Sequence, residues 1–89
     1  WRVVAERALT RPEGSYVARL LDAGPAAVAQ KVGEEGVEAA LAAVTESDER
    51  LVGELADLWF HSYLLLAVRG LQPSLVEDEL RRRHADRTG

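Results

Sequence analysis

Two groups of acidic residues stand in the middle of the sequence, at spacings that repeat about once per helical turn. The first group contains Glu34, Glu35 and Glu38, and the second contains Glu54 and Asp57. Carboxylate oxygens are the ligands that hard divalent cations such as Mg²⁺ and Mn²⁺ prefer. Carboxylates that come close together need such a cation, or a proton, to offset their mutual repulsion. The two groups therefore predict a divalent-metal site if the fold brings them to one place.

The first acidic group borders an apolar stripe of a predicted helix. At about 100° per residue, Glu34 and Glu38 fall within a narrow sector that also contains Lys31. Glu35 lies at the edge of this sector. The adjoining sector is predicted to face the core and contains Val28, Val32, Ala39 and Ala43. The carboxylates are therefore expected beside the buried stripe, where a second helix can reach them.

The second acidic group lies on the next predicted helix, after a short turn over residues 45–48. If the two helices pair antiparallel around this turn, Glu38 comes opposite Glu54. In the same register, Glu35 comes opposite Asp57. The alternative is a solvated acidic face, which is what most runs of charge are. A second acidic pair at the matching height, with almost no basic residues between, favours the converging site.

The apolar spacing along most of the chain is helical, and strand signals are nearly absent. We predict an all-α fold, a short four-to-five-helix bundle, with a mobile N-terminal arm over residues 1–14 and a helical domain over residues 15–89. The arm is expected to end in the breaker Pro12-Glu13-Gly14. The predicted helices span about 16–23, 25–44, 48–69 and 74–84, with start and stop signals at Ser15, at Ser47 or Asp48, at Gly70 and at a Ser74-x-x-Glu77 capping box.

The third predicted helix is apolar over most of its circumference. One stripe consists of Leu51, Leu55, Leu58, Ser62, Leu65 and Leu66, and a second surface beside it consists of Val52, Trp59, Phe60 and Tyr63. Such a helix must be buried on several sides, and the other short helices cannot cover it. With 89 residues and no cysteine, the chain also has no disulfide to stabilise a small core. We therefore expect homodimerisation to complete the bundle; the alternative is a loosely packed monomer with an exposed patch.

Charge and hydropathy exclude several classes of protein. The formal net charge of −4 argues against general nucleic-acid binding, and an anionic substrate would need bound cations or a local basic cluster. The longest apolar stretch, residues 58–68, is roughly half the ~20 residues of a membrane span. No secretory leader pattern is visible and cysteine is absent, so we expect a cytoplasmic location. The expected partner is a small molecule, with no nucleic acid and no membrane.

The acidic groups also belong to a recognisable pattern. The run Lys31-Val32-Gly33-Glu34-Glu35-x-x-Glu38, followed by Glu54-x-x-Asp57-Leu58, resembles the all-α NTP pyrophosphohydrolase superfamily of the MazG type. Further segments resemble the phosphoribosyl-ATP pyrophosphohydrolases of histidine biosynthesis, namely Ser15-Tyr16-x-x-x-Leu20, Gln30 before Lys31, Asp57-Leu58-x-Phe60-His61 and Leu80-Arg81-x-Arg83-His84. The resemblance covers residues 15–84. It departs at Val17, where threonine is common, and at Phe60, where tyrosine is common, so neither position is assigned a substrate contact.

The resemblance implies a homodimer that depends on Mg²⁺, with Mn²⁺ able to replace it, and that cleaves the α–β phosphoanhydride of phosphoribosyl-ATP. The products would be phosphoribosyl-AMP and pyrophosphate, in the second step of L-histidine biosynthesis. One alternative is a house-cleaning hydrolase of non-standard nucleoside triphosphates, which shares the acidic site. The Ser-Tyr and Arg-x-Arg-His segments favour phosphoribosyl-ATP over it. Another alternative is a non-catalytic helical dimerisation module with an acidic groove for a basic partner.

The acidic residues take the metal-binding and catalytic roles in this interpretation. The expected ligands are Glu38, Glu54 and Asp57, together with Glu34 or Glu35. One carboxylate that is not fully engaged by metal can take a proton from the attacking water. Glu35, at the edge of the sector, is the favoured base. Glu38 is the other candidate catalytic residue, since spacing does not separate a ligand from a base.

Substrate-binding residues are expected among the basic and polar side chains near the acids. Lys31 is expected to meet a phosphate oxygen or to pair with a neighbouring glutamate. His61, four residues after Asp57, is expected to touch the substrate or to hydrogen-bond one of the acids. Ser15, in the Ser-Tyr segment, is a further candidate.

A basic cluster lies at the end of the last predicted helix and consists of Arg81, Arg82, Arg83, His84 and Arg87. It can serve as favourable charge at a helix C-terminus. The alternative is anion binding, because the substrate needs cations and the rest of the chain is acidic. We assign Arg83 and His84 as contacts to phosphate or ribose-phosphate, in their own subunit's site or in another's.

Overall fold

Five helices make up nearly all of the chain that the structure describes. The structure is a computed structural model that describes residues 1–10 and 15–87. In chain order the helices are α1 (Arg2–Thr10), α2 (Tyr16–Ala23), α3 (Pro25–Thr45), α4 (Asp48–Val68) and α5 (Pro73–Arg87). No strand occurs within these two ranges, so the predicted all-α fold is confirmed.

Local capping interactions begin α2 and α4, as the sequence predicts. Oγ of Ser15 accepts a hydrogen bond from the backbone N–H of Ala18, and Oγ of Ser47 accepts one from the backbone N–H of Arg50. Each bond satisfies an N–H group that the first turn of a helix leaves without a partner. Between α2 and α3, Gly24 adopts a φ of 96°, which glycine tolerates without strain, and Pro25 then starts α3.

The segment that joins α4 to α5 corrects one predicted boundary. Gly70, with a φ of 70°, follows the end of α4 as predicted. However, α5 begins at Pro73, so Ser74 lies inside its first turn and not at the N-cap position predicted for it. Proline suits the first helical position because its φ is fixed near the helical value and its missing N–H is not needed there.

The N-terminal segment is not the mobile arm that the sequence predicts. Residues 2–10 form α1, and Val4 is only 2% exposed within the core. The indole ring of Trp1 packs edge-on against the ring of Tyr63, with centroids 6.1 Å apart. Short helices of this length are stabilised mainly by packing, which sequence propensity does not reveal. The predicted breaker over residues 12–14 lies outside the described residues.

The core lies where α1, α2 and α3 meet the second half of α4. Its buried cluster consists of Val4, Val17, Leu21, Val28 and Leu64. On α3, the predicted core positions Val28 and Ala39 are buried. Ala42 is buried in place of the predicted Ala43, which is exposed, because the repeat of about 3.6 residues carries the buried face to residue 42 by the fourth turn after Val28.

α4 turns toward α3 the side that carries Asp57 and His61, as the predicted antiparallel pairing requires. His61 and Leu64 are its buried residues, while all six members of the predicted stripe are only half-buried. The pairing of α3 with α4 uses the side of α4 that carries Asp57 and His61, so the stripe is left partly open. Trp59, on the second predicted surface, is 59% exposed. Much of the apolar surface of α4 is therefore uncovered within one chain.

α5 packs closely against none of the other described helices. An open apolar depression of about 500 Å³ lies between α4 and α5, and we refer to it as the α4–α5 groove. Its lining includes Leu55, Leu58, Trp59, Tyr63, Val76 and Leu80. Three large apolar side chains of the groove, those of Trp59, Val76 and Leu80, remain exposed to solvent.

By length and composition, α4 also meets the criteria for a membrane-spanning helix. It has 21 residues, with a mean hydropathy of 1.3 over its most apolar window, and 11% of that window is buried. The sequence predicts no span because the uninterrupted apolar residues cover only its second half. The core helix of a soluble protein meets the same criteria, and this helix carries Glu54 and Asp57 beside α3.

Candidate active site

A polar pocket of about 340 Å³ lies where α2, α3 and α4 meet, and we refer to it as the acidic pocket. It is lined by Tyr16, Lys31, Glu34, Glu35, Glu38, Asp57, Phe60 and His61. α3 and α4 bring the two acidic groups to this place because a short turn between Thr45 and Asp48 folds one helix back along the other. Four of the five predicted acids line the pocket itself.

The fifth acid, Glu54, adjoins the pocket through Glu38, in the register that the sequence predicts. A hydrogen bond between the side chains of Glu38 and Glu54 is the main cause that raises the pKa of Glu54, and burial raises it further. The negative charge of Asp57 acts in the same direction. Arg50 offsets part of this charge, since its guanidinium lies 3.5 Å from Oε1 of Glu54.

Glu35 is the acid of the first group that points into the protein. Its side chain belongs to a residue only 8% exposed, whereas the neighbouring Glu34 is exposed. The reason is helical geometry: Glu35 follows the buried Val28 by two full turns and shares its side of α3. Burial is the largest cause of a raised pKa at Glu35, and the charge of His61 acts against it. The sequence places Glu35 at the edge of the acidic sector and does not predict that its side chain is buried.

His61 links the acids of α3 to a residue on α2. Its Nδ1 contacts Oε1 of Glu35, an oxygen that is shielded from solvent. The same Nδ1 lies 3.0 Å from the backbone oxygen of Asp57. Its Nε2 lies 2.6 Å from the hydroxyl oxygen of Tyr16. Of the two roles predicted for His61, the structure shows the contact with an acid.

Two aromatic residues of the pocket, Tyr16 and Phe60, are absent from the predicted site. Their rings stack with centroids 6.2 Å apart and an interplanar angle of 19°, and both meet the His61 ring edge-on. Tyr16 follows the capping Ser15 and precedes the buried Val17, so its spacing indicates only an apolar helix face. Its polar partner lies 45 residues away in sequence, a distance that no local pattern spans.

The chemistry of the acidic pocket fits a hard divalent cation. Its acidic donors are all carboxylate oxygens. Oε2 of Glu54 is shielded from solvent and has no hydrogen-bond partner, and two carboxylates in contact, Glu38 and Glu54, need a proton or a cation between them. Among residues 1–10 and 15–87, no three acidic or histidine side chains already stand in ligating geometry. Binding of an ion at this place would require the long glutamate side chains to turn.

Two of the predicted substrate-binding residues lie near the pocket. Lys31 lines it and is exposed, and it takes part in none of the ion pairs found among the described residues. This leaves its ammonium group available to an anionic ligand, in line with the phosphate role predicted for it. Ser15 is half-buried and does not line the pocket; its hydroxyl caps α2.

The basic end of α5 lies apart from the acids of its own chain. Arg81 pairs with Asp78 at 2.9 Å, and Arg83 pairs with Glu79 at 3.0 Å. Both arginines are well exposed, as is His84. Neither Arg83 nor His84 is among the residues that line the acidic pocket of their own chain.

Comparison with known proteins assigns the chain to a family. The family model for phosphoribosyl-ATP pyrophosphohydrolase matches residues 1–84. A phosphoribosyl-ATP pyrophosphatase of Metallosphaera sedula is 49% identical over 81 residues, which are 91% of this chain and 87% of that protein. The phosphoribosyl-ATP pyrophosphatase of Sulfurisphaera tokodaii is 41% identical over 83 residues, 93% of this chain and 88% of that protein. The histidine biosynthesis bifunctional protein HisIE of Xanthomonas axonopodis is 55% identical over 69 residues, 78% of this chain but 34% of that longer protein.

The matched range includes every residue that lines the acidic pocket. It also includes α1. The resemblance found in the sequence covers only residues 15–84 and leaves α1 out, but Val4 of α1 belongs to the buried core. The residues of the acidic pocket and the helices that position them therefore all lie within the range that matches the family model. The chain belongs to the phosphoribosyl-ATP pyrophosphohydrolase family.

Proposed function

We propose that the acidic pocket is the active site of a phosphoribosyl-ATP pyrophosphohydrolase that uses Mg²⁺, with Mn²⁺ able to replace it. Water attacks the α–β phosphoanhydride of phosphoribosyl-ATP and gives phosphoribosyl-AMP and pyrophosphate. This is the second step of L-histidine biosynthesis, which we place in the cytoplasm. The observation that carries the proposal is the convergence of carboxylates from α3 and α4 in a chain of this family.

The metal ligands in this proposal are Glu38, Glu54 and Asp57, together with Glu35 or Glu34. The contact between Glu38 and Glu54 supports a cation there, because a cation relieves the repulsion that otherwise requires a shared proton. The shielded Oε2 of Glu54 supports it as well, since a buried anionic oxygen without a partner is costly. Bound Mg²⁺ supplies neutralisation of the polyphosphate charge and polarisation of the attacked phosphorus.

Glu35 is our proposed base for the attacking water, and Glu38 is the alternative. A general base must be held within hydrogen-bonding reach of the proton that it takes. Glu35 borders the pocket while one of its oxygens contacts His61, so its carboxylate is held from behind. Glu34, exposed and without such a contact, is a weaker candidate for a positioned group.

Cationic and polar groups bind the substrate in this proposal. Lys31 contacts a phosphate oxygen, as its place on the pocket wall supports. Arg83 and His84 contact phosphate or ribose-phosphate in the site of another subunit, because neither lines the acidic pocket of its own chain. Ser15 remains a candidate contact whose hydroxyl also caps α2.

The α4–α5 groove supports the homodimer that the sequence predicts. Monomeric proteins rarely leave a contiguous apolar surface of this kind open to water. Trp59, Val76 and Leu80 are all exposed there, and α5 has no close packing partner within its own chain. A second copy packed against the groove would bury these side chains and bring the basic end of α5 toward the neighbouring subunit.

Pyrophosphate release from phosphoribosyl-ATP, measured with and without Mg²⁺, tests the proposal. We expect release in Mg²⁺ or Mn²⁺ and none in the presence of EDTA. Parallel assays contain dUTP and dCTP. Release only from these two nucleotides would move the assignment to the house-cleaning hydrolases. Release from none of the three would favour the helical dimerisation module.

A further inference from the structure

A chain of contacts between three side chains joins α2, α4 and α3 behind the acidic pocket. The hydroxyl of Tyr16 lies 2.6 Å from Nε2 of His61, and Nδ1 of His61 contacts Oε1 of Glu35. The side chains of His61 and Glu35 are each only 10% exposed. The chain thus runs from the pocket wall at Tyr16 to a buried carboxylate oxygen.

The surroundings of the imidazole determine which of its nitrogens carries the proton. Nδ1 of His61 faces the backbone oxygen of Asp57 at 3.0 Å, and a backbone carbonyl can only accept a hydrogen bond. The carboxylate of Glu35 lies on the same side. In the neutral ring Nδ1 must therefore be the protonated nitrogen, and Nε2 must be an acceptor. The hydroxyl of Tyr16 is the donor that this acceptor requires.

We propose that Tyr16 is a positioning residue that acts through His61 on Glu35. By donating to Nε2, the Tyr16 hydroxyl anchors the imidazole ring in the orientation in which its Nδ1–H is directed at the Glu35 carboxylate. Glu35 is thereby kept in the orientation in which it borders the pocket. The inference rests on the proposed function, because the orientation of Glu35 matters to chemistry only if the pocket binds a divalent cation. Groups behind a metal ligand set its orientation and affinity in many metal sites.

The packing of the three rings makes the role of the hydroxyl separable from that of the tyrosine ring. The Tyr16 ring stacks on Phe60, and the His61 ring packs edge-on against both, with centroid distances of 5.7 Å to Tyr16 and 5.2 Å to Phe60. Tyr16→Phe keeps this packing and removes only the donor. Without it, Nε2 is left with no donor, and the imidazole ring is no longer anchored in the orientation that directs Nδ1–H at Glu35.

Nitrogen-15 NMR of the histidine rings in the metal-free protein tests the first step. The chain has two histidines, and the exposed His84 serves as the internal reference. At pH 8.5 we expect His61 in the Nδ1–H form in the wild type, and in Tyr16→Phe a shift of the Nε2 resonance that reports loss of the hydrogen bond donated by Tyr16. The Nε2–H form in the wild type, or an unchanged spectrum in Tyr16→Phe, would overturn the inference.

Mn²⁺ binding, followed by electron paramagnetic resonance, tests the second step without reliance on turnover. Two substitutions divide the functions of His61. In His61→Asn the amide N–H replaces Nδ1–H toward Glu35, whereas in His61→Gln the amide oxygen replaces Nε2 toward Tyr16. We expect the Mn²⁺ dissociation constant to rise about tenfold in Tyr16→Phe and about 10–100-fold in His61→Gln. His61→Asn should bind Mn²⁺ more tightly than His61→Gln, because it restores the donor to Glu35.

Ser47→Ala is the control for general loss of stability. It removes the N-cap of α4, far from the pocket, and should lower the melting temperature by about 4–8 °C while leaving the Mn²⁺ dissociation constant unchanged. Equal Mn²⁺ binding by the wild type, Tyr16→Phe and His61→Gln would overturn this inference alone. Tighter binding by His61→Gln than by His61→Asn would also overturn it. Absence of Mn²⁺ binding by the wild type would overturn the metal assignment itself, and the inference with it.

Discussion

Two sides of α4 differ in a way that runs against the usual distribution of polar and apolar residues. The side toward α3 carries Asp57 and His61, and one chain already closes it with Glu35 and Tyr16. The side toward α5 is apolar, yet Trp59 is largely exposed. Charged groups are seldom buried unless they have a task, and open apolar surfaces usually have a partner. A single chain thus assembles the acidic cluster and leaves the apolar α4–α5 groove uncovered.

The largest effect is expected from neutral substitutions on the acidic side. Glu38→Gln and Asp57→Asn each remove an anionic oxygen that the proposed Mg²⁺ site requires, so turnover should fall by at least about a hundredfold. Pyrophosphate release measures this, and circular dichroism should show unchanged helix content. Glu49→Gln, which changes an exposed acid in the first turn of α4, is the matched control. Near-normal turnover in both site variants would identify the acids as surface charge.

A charge placed on the apolar side of α4 should weaken the proposed dimer more than it lowers turnover. Trp59→Glu puts a carboxylate into the α4–α5 groove, where burying an unpaired charge costs several kcal/mol. The dissociation constant of the dimer should rise by at least about a hundredfold, as measured by sedimentation velocity. Val44→Glu is the control, since Val44 is an exposed apolar residue of α3 outside the groove. The proposed interface is contradicted by a monomeric wild type or by a Trp59→Glu protein that stays dimeric.

Dimerisation through the apolar side of α4 affects the chemistry on its acidic side if Arg83 of α5 contacts the substrate bound by the neighbouring subunit. Arg83→Gln should raise KM about tenfold with little change in kcat, because it removes one charge-assisted hydrogen bond to phosphate. Arg81→Gln serves as the control. Mixing Arg83→Gln chains with Glu38→Gln chains should restore activity, since one site of each mixed dimer then lacks both changes. If mixing restores nothing, Arg83 does not act across the dimer.

The smallest effect concerns the stability of the metal-free protein. The contact with Glu38 raises the pKa of Glu54, so the folded state holds the proton of Glu54 more tightly than the unfolded state. The stability that this gives is present at low pH and is lost as the pH rises through the raised pKa. Glu38→Gln removes the repulsion, so at pH 7 its melting temperature should be slightly higher than that of the wild type.

In calorimetry with EDTA, this difference should shrink toward zero near about pH 4, the ordinary range of glutamate. Glu49→Gln should show no such dependence on pH. A Glu38→Gln protein that melts below the wild type at pH 7 would mean that the contact between Glu38 and Glu54 stabilises the metal-free fold.

Helical periodicity and one short turn were enough to predict the acidic side of α4. The turn at residues 45–48 fixes how α3 folds back on α4, and the contact between Glu38 and Glu54 follows from counting outward from it. The starts of α2 and α4 were equally predictable, because Ser15 and Ser47 act on N–H groups only three residues away. These features depend on neighbours in sequence or on a single pairing.

Features that depend on several helices at once were not predictable. Tyr16 reaches His61 only after α2 packs across α4, and Glu35 becomes buried because α3 rotates it toward that junction. The sequence predicts a mobile N-terminal arm, yet Val4 of α1 packs in the buried core cluster. The apolar residues of α4 predict burial on several sides, but a helix apolar nearly all round does not specify which side a single chain covers.

Anomalous diffraction from crystals soaked with Mn²⁺ and a non-hydrolysable analogue of phosphoribosyl-ATP tests the central claim most directly. We predict Mn²⁺ in the acidic pocket, bound by carboxylate oxygens from both α3 and α4, including Glu38 and Asp57. The α–β phosphate bridge of the analogue should lie beside it. Mn²⁺ bound elsewhere, or an analogue bound away from these carboxylates, would contradict the claim that the acidic side of α4 is the active site.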